Sequence, residues 1–143
     1  MPKKLQVQET EFMSVGEIKT FDGLRVEMIS ASHNRPPASP SPLAAGYALE
    51  FEGRRIAHLG GTFLDGVKRL SFIDVLLVPI GGGPTMDVDE AVKALRIIKP
   101  KLAVPMHFQT FRGIRAGAER FRVKADEAGF QVKVLRIGEY LKL

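Results

Sequence analysis

The chain contains no cysteine at all. Disulfides and thiolate ligands are therefore excluded, and any metal held here depends on imidazoles and carboxylates. Long apolar runs are missing too. Nothing approaches the roughly 18 residues of a membrane span, and Pro2-Lys3-Lys4 is not followed by the apolar core of a signal peptide. A soluble, cytoplasmic protein with no membrane partner is the expectation. No repeat, low-complexity tail or linker divides the 143 residues, so residues 1–143 read as one domain with a modest core. The net charge of +5 suits an anionic partner, such as a phosphorylated substrate. However, Arg112, Arg115, Arg120, Arg122 and Lys124 are interspersed with Glu119, Asp126 and Glu127, the pattern of a solvated helix face. No basic stripe interleaved with aromatics is present, so a nucleic-acid module is not favoured.

What is present reads as alternating strand and helix. Met13 to Phe21 and Val26 to Ile29 predict a hairpin turning at Asp22-Gly23. The proline-rich stretch Asn34 to Ala45 cannot be helix or central strand and reads as loop. Tyr47 to Phe51 and Arg54 to His58 predict a second hairpin, through Glu52-Gly53. Val75 to Pro79 is a continuous apolar run, as in a strand buried on both faces. Asp87 and Glu90 form a capping-box pair ahead of the apolar face Val88, Ala91, Val92, Leu95 and Ile98, and Pro100 stops that helix. Leu102 to Met106 reads as strand, Ala116 to Ala128 as helix ending at Gly129, and Val132 to Ile137 as a last strand. A β-rich first half followed by strand-helix-strand-helix-strand predicts an α/β layered domain.

The histidines number three, and His33, His58 and His107 each fall at or near the end of a predicted strand. Strand ends and the loops after them are where α/β folds gather their chemistry. A lone histidine there is more often a hydrogen-bonded structural group than a ligand. Gly81-Gly82-Gly83 precedes a helix but lacks the Lys-Ser/Thr of a Walker loop, so a structural turn is the first expectation. Asp65 and Asp87 have simple local roles, in a turn and as a helix cap.

Three stretches together resemble the second half of a metallo-β-lactamase superfamily hydrolase, of the ascorbate-6-phosphate lactonase-like branch. They are His58-Leu59-Gly60-Gly61-Thr62, Pro79 to Met86 with its P-I-G-G and T-M steps, and Pro105 to Phe111. The resemblance implies an αββα sandwich of which this chain holds only the second half, without the upstream H-x-H-x-D-H motif. It also implies zinc or another divalent metal, with His33 and His107 as one ligand to each of two ions. Gly61 stands where the family pattern H-x-G-D-T has the Asp that bridges those ions. His58, Gly61, Thr62, Gly81, Gly82, Thr85 and Thr110 would then lie beside the ligands or on the rim. The implied chemistry is attack of metal-bound hydroxide on an ester, lactone or phosphoester.

Two histidines fall short of the three or four ligands a zinc site needs. The sequence therefore leaves three readings open: a truncated or split hydrolase, inactive alone and completed by a partner; a non-catalytic interaction or structural module; and a basic nucleic-acid-binding domain. A half fold would also bare the inner face of its sheet. Covering even ~400 Å² of it is worth on the order of 10 kcal/mol. A homo-oligomer, or a partner chain that supplies the first half, is the expectation.

Overall fold

The computed structural model describes residues 9–33, 44–108 and 115–143. The segment 34–43, Thr110 and Phe111 lie outside the described residues. A six-stranded sheet is ordered along the chain as β1 (Ile18–Phe21), β2 (Leu24–Ser30), β3 (Ala45–Phe51), β4 (Arg54–His58), β5 (Val75–Pro79) and β6 (Leu102–Met106). The first four strands form an antiparallel meander, and β4, β5 and β6 run parallel. The two hairpin turns, Asp22-Gly23 and Glu52-Gly53, have positive φ at both residues. This is the turn whose twist matches that of the flanking strands.

Helix α1 (Val88–Ile98) starts at the predicted cap. Asp87 Oδ1 accepts from the Glu90 N–H at 2.9 Å, and Glu90 Oε2 accepts from the Asp87 N–H at 3.1 Å. Lys99 turns left-handed and Pro100 prevents continuation. Helix α2 (Arg115–Glu127) packs beside α1. Both rest on one face of the sheet, where Ala48, Ala57, Leu76, Val78 and Ala103 are at most 2% exposed and share a core with Leu95, Phe121 and Ala125. Alanines in β3, β4 and β6 let the helices approach closely.

Strand alternation sends a second apolar set to the other face. Cross-strand registers align Val26, Leu49, Ile56 and Val75 in one row, and Met28, Tyr47, His58 and Leu77 in the next. None of these belongs to the helix-covered core, and Tyr47 and Phe51 remain 42% and 50% exposed.

The predicted last strand over Val132 to Ile137 does not form. Only a single parallel bridge joins Val132 to Ala103. The Ala103 N–H donates to the Gln131 carbonyl at 2.9 Å, and the Lys133 N–H donates to the Ala103 carbonyl at 3.0 Å. The next donor along that edge of β6 belongs to Pro105, which has no N–H, so the ladder stops there.

Candidate functional site

The topology dictates where the site lies. Antiparallel pairing of β2 with β3 and of β3 with β4 makes β2 and β4 run the same way, and β5 and β6 follow β4. The C-terminal ends of β2, β4, β5 and β6 therefore share one edge of the sheet. His33, His58 to Thr62, Gly81 to Thr85 and His107 all sit on that edge.

His33 follows β2 and leans against Gly61, with its Nδ1 3.0 Å from the Gly61 carbonyl oxygen. A carbonyl can only accept, so Nδ1 carries the proton and Nε2 keeps its lone pair. This is the arrangement in which an imidazole is oriented to ligate through Nε2. Thr62 fixes the contact from beneath. Its fully buried hydroxyl accepts the Ser32 N–H at 2.8 Å and donates to the Phe63 carbonyl at 2.9 Å. The Ser32 carbonyl accepts from the Phe63 N–H at 2.7 Å, and the Thr62 carbonyl accepts from the Met86 N–H at 3.0 Å. The ends of β2, β4 and β5 are thereby tied together through the backbone.

His58 has the opposite tautomer. The Gly60 N–H donates to its Nδ1 at 3.0 Å, which leaves the proton of the neutral ring on Nε2. Burial first, and then the nearby His107, hold its pKa below the ordinary imidazole value. His58 is therefore a neutral donor and offers no Nε2 lone pair to a cation.

His107 is held in a left-handed backbone conformation, φ +59°, which a non-glycine residue adopts only when its surroundings impose it. One neighbour is Gly81, where a Cβ would lie 2.1 Å from the His107 carbonyl oxygen. Gly81 is thus glycine because another backbone crosses it. Gly82 has φ +70° and donates its N–H to the Met86 carbonyl at 2.9 Å. Thr85 is buried, and its methyl would lie 3.6 Å from a Cβ on Gly61.

The acidic groups nearby are already engaged. Asp65 lies in a one-turn helix, Leu64–Gly66, and accepts from Ser32 Oγ at 3.1 Å, while Asp87 and Glu90 cap α1. Among the described residues no set of three or more histidine and carboxylate side chains is placed to hold a metal ion. The described residues thus fit at most part of a metal site. The sequence reading missed Ser32 and Gly66. A Cβ on Gly66 would lie 2.3 Å from the Ser32 nitrogen and 2.4 Å from Thr62 Oγ1. The only sequence signal was an isolated Asp-Gly step.

Comparison with known proteins identifies the family. Residues 3–107 match the family described as the Beta-lactamase superfamily domain. A UPF0173 metal-dependent hydrolase of Carboxydothermus hydrogenoformans is 36% identical over 94% of this chain and 63% of its own length. A Thermus thermophilus relative with the same family name is 35% identical over 92% of this chain and 61% of its own. The chain thus spans a little over three fifths of these curated relatives. Among solved structures, Igni18, a metallo hydrolase from the archaeon Ignicoccus hospitalis, superposes with a TM-score of 0.73. It shares 30% identity with this chain, and the match covers 89% of this chain and 57% of that one. No helix of the described residues is long and apolar enough to cross a membrane. With residues 3–107 matching that family and a mixed α/β fold, the chain belongs to the metallo-β-lactamase superfamily.

Proposed function

We propose that this chain provides the histidine edge of a divalent-metal-dependent hydrolytic site, with zinc as the metal. The substrate class is a small ester, lactone or phosphoester, as in the lactonase-like branch. The observation that carries the reading is the His33 ring, whose proton is committed to the Gly61 carbonyl so that Nε2 is left to ligate. His107 is the second ligand, and the strained turn over Gly81 sets its position. His58, neutral and protonated on Nε2, orients a water or a substrate oxygen by donating to it. When bound, the cation supplies Lewis acidity and an activated water. Ligands beyond His33 and His107 come from outside the described residues.

Zinc titration of the assembled protein by calorimetry tests this, with His33→Ala and His107→Ala alongside. Each substitution is expected to weaken zinc binding at least tenfold. Equal affinity in both variants and the parent removes the reading. Gly61 favours a second one, a non-catalytic interaction module, because no carboxylate bridges the edge. Absence of zinc uptake by the assembled parent protein selects that alternative.

A further inference from the structure

We draw no further inference here: the strongest candidate, the cavity between the one-turn helix Leu64–Gly66 and the start of α1, lined by Asp65, Thr85, Asp87 and Glu90, belongs to the strand-end site already described, and its three carboxylates already serve the Ser32 contact and the α1 cap.

Discussion

Replacing Gly66 with alanine should loosen the whole strand-end edge, although Gly66 touches no candidate ligand. Its φ is not in the left-handed region, so the cost is steric and not conformational. An added Cβ would sit 2.3 Å from the Ser32 nitrogen, 2.4 Å from Thr62 Oγ1 and 2.8 Å from the Ala31 carbonyl carbon. Two of these three neighbours are backbone, which cannot rotate away. Relief needs a displacement of about 1 Å, enough to stretch the 2.8 Å Ser32–Thr62 hydrogen bond beyond hydrogen-bonding distance. Overpacking of this kind costs about 1–3 kcal/mol, and separating a buried donor from its acceptor costs another 1–3 kcal/mol or so. Reduced freedom of the unfolded chain returns about 0.4–1 kcal/mol. The net expectation is a loss of roughly 2–5 kcal/mol in urea denaturation, read from the midpoint at constant slope. Gly83→Ala, which has open space at Cβ but a φ of +66°, provides the comparison and should cost only about 1 kcal/mol, typical of left-handed strain. A Gly66→Ala loss below 1 kcal/mol, or one no larger than that of Gly83→Ala, would refute the argument that close backbone approach shapes this edge.

Three further outcomes are expected. Asp87→Ala removes one side of the capping box on α1 and should lower stability by about 1 kcal/mol in the same denaturation assay. Asp74 has its carboxyl held below the usual range, first by Lys101 and then by the Arg55 N–H at 2.8 Å. Its contribution is thus fully present above the ordinary carboxylate value near 4 and is lost as pH falls through the lower folded value. Asp74→Asn should therefore flatten the stability profile below about pH 4, and an unchanged acid limb in the variant would remove this assignment. Gly81→Ala should displace the His107 backbone, because its Cβ would meet the His107 carbonyl oxygen. Of the three histidine ring resonances in a proton–nitrogen spectrum, His107 should move most.

The sequence made the element order legible because each element had local punctuation. Asp22-Gly23 and Glu52-Gly53 marked the hairpins, and Asp87, Glu90 and Pro100 bracketed α1. The missing last strand failed for a non-local reason: Val132 to Ile137 has strand composition, but its intended neighbour presents Pro105. The site was legible as positions and not as geometry. Three strand-end histidines were visible, but not the opposite tautomers of His33 and His58. Those follow from whether a carbonyl or an N–H faces Nδ1, which side-chain pattern does not encode. The close approaches at Gly66 and Gly81 were equally hidden, since a glycine that serves a neighbouring backbone looks like any turn glycine.

The same kind of close approach bears on Gly61. Its carbonyl still holds His33, and Thr62 still ties β2 to the turn before α1. Under the proposed metal reading, the backbone of the edge is in place and Gly61 brings no carboxylate to it. A Cβ on Gly61 would meet His33 Cε1 and Nδ1 at 3.3 Å and Thr85 Cγ2 at 3.6 Å. Both neighbours are side chains, His33 is exposed, and φ is not left-handed, so a side chain fits after a shift of a few tenths of an ångström. Gly61→Asp would place a carboxylate beside His33 and add an oxygen ligand with about one unit of negative charge. The assembled Gly61→Asp protein is expected to bind zinc at least tenfold more tightly than Gly61→Asn, which has the same size and no charge. Equal affinity for the two variants would mean that the edge no longer points at a common cation, and Gly61 would then mark a scaffold put to another use.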